Sequence, residues 1–175
     1  MDSVVILRFL TGMVTSQNQL QSNEDNTVGP LSLLKQVVQS QSTRAELYHE
    51  YELAFEEYLD GKIQAEELSL IVGITTDGFN QVSLRINGIE NALQMMDQDS
   101  IAALTRQLQE REREKLQLTV QLQIQQQGKL DGWQAELDRL EKERTVLIGK
   151  INEILMEINA EISELTMAED MSVSV

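Results

Sequence analysis

Between residues 68 and 96 the apolar positions advance by alternating threes and fours: Leu68, Ile71 or Val72, Thr75, Phe79, Val82, Ile86, Ile89, Leu93 and Met96. Side chains three and four apart share one face of an α-helix, so this spacing makes a continuous seam that only another helix can cover. The pattern returns most cleanly as Leu130, Trp133, Leu137, Leu140, Arg144, Leu147, Ile151, Ile154, Ile158, Glu161 and Leu165. Seams of this length restrict the chain to folds in which long helices lie side by side. Composition agrees. There is one proline, and aromatic residues make up 4% of the chain, whereas an α/β enzyme of similar length draws more heavily on both for turns and a pocket.

The seams divide into about four helices. Order begins at Pro30. Leu34, Val37, Val38, Ala45, Tyr48, Tyr51, Phe55, Tyr58 and Leu59 then take helical spacing up to Asp60-Gly61, where glycine suits the residue after a helix end. A second helix spans about 65–97. Gly73, Gly78 and Gly88 lie inside it, each costing up to about 1 kcal/mol relative to alanine, and a kink or break is expected near Thr75–Gly78. Asp97-Gln98-Asp99-Ser100 reads as a stop and restart with Asp99 or Ser100 as N-cap. The third helix then covers about 101–126 on a seam of Ile101, Leu104, Leu108, Arg111, Lys115, Leu118 and Leu122. Within it Leu116, Leu118, Val120, Leu122 and Ile124 fall on every second residue, the spacing of a strand. No other segment alternates in this way to pair with it. Leu116, Val120 and Ile124 are also four apart, so the stretch reads as a helix touching neighbours on two sides. Residues 125–132 break the register as a hairpin or a stutter.

The fold expected is therefore all-α, an elongated antiparallel helical bundle or coiled coil of about four long helices. Its parts are a disordered leader (1–29), a three-helix domain (30–127), a C-terminal coiled-coil helix (128–166) that either folds back or projects, and a disordered acidic tail (167–175).

Charge and chemistry narrow the function. The formal net charge is −15, which repels nucleic acid and anionic membrane surfaces at long range. The densest basic run, Arg111, Arg113 and Lys115, alternates with Glu110, Glu112 and Glu114, and after Lys150 there is no basic residue at all. Cysteine is absent, which removes disulfides and thiolate chemistry. His49 is the sole histidine. It forms Glu46-x-x-His49, but a di-iron bundle site needs two such pairs. No phosphate-binding glycine motif occurs. The stripe Tyr48, Tyr51, Phe55 and Tyr58 reads as core, since the acids around it would repel phosphates. No catalytic, cofactor or metal residues are expected, and the chain reads as no enzyme. Val4 to Leu7 is too short to span a membrane and lacks the basic flank of a signal peptide. Nucleus or cytoplasm is the expected location, a cytoskeletal or ciliary one included.

Arg111 and Lys115 occupy seam positions where burial would be costly, and so mark a place where the bundle opens or the chains snorkel. Together with Trp133, Leu137, Leu140, Leu147, Ile151, Ile154 and Ile158 they form the candidate interaction surface. The partners expected are other proteins docking through helical seams, within an oligomer or a larger complex.

Gln39-Ser-Gln-Ser-Thr-Arg-Ala45 leads to Tyr48 and Tyr58-Leu59. Thr76-Asp77, Phe79-Asn-Gln-Val82-Ser83, Ile86-Asn-Gly-Ile89-Glu90, Ile101-Ala102, Leu108-Gln109 and Glu112 to Thr119 follow in order. Over about residues 31–127 this pattern resembles the small "Required for Excision 1-B" DNA-repair family. Gly78 looks like an addition within it. The resemblance implies a small helical protein connected with excision repair, and it carries no catalytic residues. Two functional readings follow: a non-catalytic helical adaptor, in DNA repair as the resemblance implies, and a structural coiled-coil subunit of a large assembly.

Overall fold

The computed structural model describes residues 29–128 and 133–173. They form four helices, α1 (Pro30–Leu59), α2 (Ala65–Met95), α3 (Asp99–Gly128) and α4 (Trp133–Val173), and no strand occurs among the described residues. The leader up to residue 28 and half of the register break, residues 129–132, lie outside them. Helix α4 runs past residue 166, where a tail was expected. Ile162 and Leu165 pack on the core, and the Met, Ala and Glu residues that follow are good helix formers.

The chain ends its helices as the local residues require. Pro30 occupies the first turn of α1, where its missing N–H costs nothing. After α1, Gly61 adopts φ +71°. The Lys62 N–H donates to the Glu57 carbonyl at 2.9 Å and the Gly61 N–H to the Tyr58 carbonyl at 3.0 Å, the paired closure of a left-handed cap. Asp97, φ 58°, ends α2 in the same way, with Gln98 N–H on Leu93 O at 3.0 Å and Asp97 N–H on Gln94 O at 3.1 Å. Asp99 is then a first-turn residue of α3, where its charge favours the positive helix end.

Helix α2 runs on through Thr75–Gly78 without the break expected there. Gly78 has a packing reason. A Cβ there would come within 2.7 and 2.9 Å of the two Cδ atoms of Leu47 on α1, so the missing side chain lets the two helices approach. Around Gly73 and Gly88 a Cβ would meet nothing.

Sequential helices pack as antiparallel neighbours, and α4 closes the bundle against α1. The largest apolar cluster takes residues from all four: Leu34 and Val37, Ile89 and Leu93, Ile101 and Leu108, then Leu147, Ile151, Ile154 and Ile158. A middle cluster joins Leu47, Tyr48, Phe79, Val82 and Ile86, with Leu116 against it. At the far end Leu122 meets Leu137 and Leu140. The boundary expected at residue 127 is therefore no core boundary. Helix α4 folds back and supplies one side of the same interior.

Helix α3 is rotated by one residue from the expected seam. Its buried line is Ile101, Thr105, Leu108, Glu112, Thr119 and Leu122, with Leu104 and Leu118 on the flank. The seam expected from spacing takes Leu104, Arg111 and Leu118 instead. The threonines tolerate burial because each hydroxyl donates to the carbonyl one turn back, Thr105 to Ile101 at 3.0 Å and Thr119 to Lys115 at 2.9 Å.

Candidate interaction site

Midway along the bundle the apolar core gives way to a polar layer. Arg44 of α1 and Glu112 of α3 are 3% and 4% exposed, a burial that charged groups accept only when hydrogen-bonded. Arg44 Nη2 donates to Gln109 Oε1 at 2.6 Å and to Ser83 Oγ at 3.3 Å, and Nη1 donates to Gln41 Oε1 at 3.1 Å. The opposite end of the same amide, Gln41 Nε2, donates to Glu112 Oε1. Gln41 thus bridges a cation and an anion, with its oxygen toward the first and its nitrogen toward the second. Gln109 Nε2 continues the layer to the Ser83 carbonyl at 3.1 Å and to Asn87 Oδ1 at 2.9 Å. Two buried oxygens, Ser40 Oγ and Glu112 Oε2, have no partner among the described residues.

Aromatic residues close one side. The Tyr48 ring packs 4.6 Å from Phe79, tilted by 54°, and its hydroxyl points at the Glu112 carbonyl 3.5 Å away. Lys115 Nζ lies 3.7 Å above the Tyr48 ring centre, a cation–π contact. Burial raises the Tyr48 pKa above its ordinary range, and the Glu112 charge adds to the rise. Burial lowers the Lys115 pKa, opposed by Glu112 and Glu52. The Arg44 pKa is lowered by burial too, with Glu112 opposing. Apart from Ser40 Oγ and Glu112 Oε2, these groups find their partners in one helix register, and a slip along α3 would strand them, so the layer favours that register.

The residues expected to form an interaction surface divide accordingly. Leu137, Leu140, Leu147, Ile151, Ile154 and Ile158 are all buried. Their seam is filled by α1, α2 and α3 and is not a free docking face. Lys115 snorkels into the polar layer. Arg111 is half-exposed and held by Glu114 of its own helix at 2.6 Å, a pair worth little to stability. The side chain of Trp133 lies outside the described residues. Arg44, Gln41, Ser83, Gln109 and Glu112 lie in the stretches that carry the family resemblance but are not among the expected interaction residues. The signal was present: each lies on the same helical line as the buried apolar residues around it. Glu112 sits in a run whose neighbours alternate in sign, a pattern that hides its burial.

The surface carries apolar side chains outside these clusters. Leu70 and Leu84 of α2, Ile124 of α3 and Val146 and Met156 of α4 are all more than 60% or just 60% exposed. A groove of about 570 Å³ runs between α3 and α4, lined by Gln117, Gln121, Lys142, Val146, Leu147 and Lys150 among others. A smaller cavity of about 110 Å³ lies where Arg144 of α4 pairs with Glu52 of α1 at 2.8 Å. Among the described residues no cluster of His, Cys, Asp or Glu could hold a metal ion, and no helix is long and apolar enough to cross a membrane.

Fold and site together define a class: an antiparallel four-helix bundle keyed by a buried Arg–Gln–Glu layer. The family model described as DNA repair REX1-B matches residues 32–126, and the chain belongs to that family. The matched span contains every residue of the polar layer. A heterochromatin silencing protein, rss1 of Schizosaccharomyces pombe, is 33% identical over 79 residues, 45% of this chain and 57% of that protein. The similarity thus covers somewhat over half the length of that relative.

Proposed function

We propose that this protein is a non-catalytic helical adaptor of the nucleus, acting in DNA repair or chromatin maintenance by contact with other proteins. The observation that carries the reading is the division between interior and surface. The two buried charges of the family segment, Arg44 and Glu112, are hydrogen-bonded inside the bundle, while apolar residues such as Leu84 and Val146 stand free on helix exteriors. A folded chain that exposes such residues on long faces offers docking area. The family description and the silencing relative support the nuclear setting. The net charge of −15 argues that any link to DNA passes through a partner. The rival reading, a structural coiled-coil subunit, rests on the long heptad seam at 130–165 and the acidic exterior, and the apolar residues of that seam from Leu137 to Leu165 pack internally.

Proximity labelling in living cells, paired with a duplex-binding titration, tests the reading. The expected result is enrichment of repair or chromatin proteins, lost on replacing surface Leu84 by Glu, with no duplex affinity at physiological salt. Tight, salt-sensitive duplex binding by the purified chain, or labelling confined to cytoskeletal or ciliary proteins, would overturn it.

A further inference from the structure

Helix α4 carries two seams. The inner one, through Leu147, Ile151, Ile154 and Ile158, fills the core. Displaced from it by two residues, on the opposite face, runs a second line with the same four-and-three spacing. It holds Val146, Gly149, Glu153, Met156, Ala160 and Met167. All six are exposed, Val146 by 60%, Met156 by 73% and Met167 by 64%. Lys142 continues this line one turn before Val146, Lys150 stands beside it, and both line the α3–α4 groove. In a chain with a large excess of acids, neither lysine has an ion pair among the described residues, whereas Arg139 is held by Glu136 and Glu143 and Arg144 by Glu52.

The charge along α4 is polarised. From Trp133 to Lys150 four acids balance four bases, and from Ile151 to Val173 there are six acids and no base. Two copies of α4 laid parallel would set the two acidic halves side by side. Laid antiparallel, each acidic half meets the neutral half that holds Lys142 and Lys150. Glu157 and Glu164, both exposed, flank the outer line where those lysines would arrive. Apart from Glu153, which this register sets against its own copy at the two-fold axis, the helix is thus complementary to its own reverse.

From this we infer that the occupant of the outer α4 face is a second copy of this chain, joined through an antiparallel α4–α4 contact. The outer line from Lys142 to Met167 is about 38 Å long, a continuous strip for an isologous interface, in which each patch is used by both copies. The small residues Gly149 and Ala160 let the helix backbones approach. This inference does not depend on the adaptor reading.

Sedimentation equilibrium of the full chain tests it. A dimer is expected at about 100 μM, with Kd in the micromolar range. The paired substitutions Val146→Glu and Met156→Glu, at exposed sites, are expected to raise Kd at least tenfold while helical circular dichroism stays unchanged. The stringent arm uses two charge variants, Lys142→Glu with Lys150→Glu in one chain, and Glu157→Lys with Glu164→Lys in another. Each alone is expected to be a weak dimer or a monomer, and an equimolar mixture to restore the dimer, because every reversed charge then faces its opposite. A wild-type monomer at that concentration, a dimer indifferent to the outer-face substitutions, or a mixture that stays dissociated would each overturn the inference.

Discussion

Replacing Arg44 by Met tests the buried polar layer. Methionine keeps the apolar stem and adapts to the space, so packing is largely retained and the guanidinium alone is lost. That group makes three hydrogen bonds, to Gln41, Ser83 and Gln109, and it is the cation whose field Glu112 shares. Hydrogen bonds to charged groups contribute about 1.5–3 kcal/mol each. Gln41, Ser83 and Gln109 are only half-buried and water reaches their freed oxygens, so the sum falls well below three such bonds. Glu112 gets no such relief, with 4% of its surface exposed. Breaking a buried charged network by removing one partner costs about 3–5 kcal/mol, and that is the loss expected here. Glu112→Met in the Arg44→Met background removes the stranded carboxylate as well. The double variant is expected to be more stable than the two single losses added together, with a coupling of about 1–3 kcal/mol. Urea unfolding followed by circular dichroism gives both numbers, provided the slope with denaturant is unchanged. A loss below about 1 kcal/mol for Arg44→Met, or strict additivity, would refute the claim that these groups form one buried unit.

Three further outcomes are expected. Gly88→Ala, in open space on α2, should stabilise the chain by about 0.5–1 kcal/mol in a melt, while Gly78→Ala should lose that gain to the Leu47 clash and come out destabilising; equal effects would contradict the close approach of α1 and α2. Burial and the Glu112 charge hold the Tyr48 pKa above its ordinary 10.0, so the folded chain keeps a phenolic proton that the unfolded chain loses. This contribution is complete below pH 10 and declines above it; denaturant midpoints at pH 8 and pH 11 should show the decline, and Tyr48→Phe should flatten it, Tyr51 sharing the same direction and leaving a remainder. Ile158→Ala, at a fully buried position, should cost about 2–5 kcal/mol, and a near-zero cost would mean that α4 is not part of the core.

Helix number, the turns at Gly61 and Asp97, and the inner seams of α2 and α4 were legible because apolar spacing and cap residues report them directly. The face of α3 was not. Ile101, Leu108 and Leu122 are common to the expected and observed seams, but between them apolar character points to Leu104 and Leu118, while the fold buries Thr105, Glu112 and Thr119. Periodicity read from apolar residues cannot see a polar side chain whose partners come from other helices. Glu112 is buried because Gln41 and Arg44 meet it from α1, and those lie 71 and 68 positions away. Apolar spacing likewise points to Ala45, while its neighbour Arg44 is the buried residue. The two-sided helix at 116–124 was half right: Leu116 packs inward, whereas Val120 and Ile124 remain exposed. Whether α4 folds back could not be read from spacing, because an inner seam looks the same whether its own chain or another fills it.

The central claim is that α4 returns along α3 to complete one four-helix core. The chain has no cysteine, so labels at Ala103→Cys and Asn159→Cys, both exposed, report one distance. Pulsed dipolar spectroscopy, with unlabelled chain in excess to isolate the intramolecular pair, is expected to give about 10–30 Å, the spacing of neighbouring helices plus label length. A helix continuing outward would place the labels about 84 Å apart, and a dominant population near that value would contradict the account.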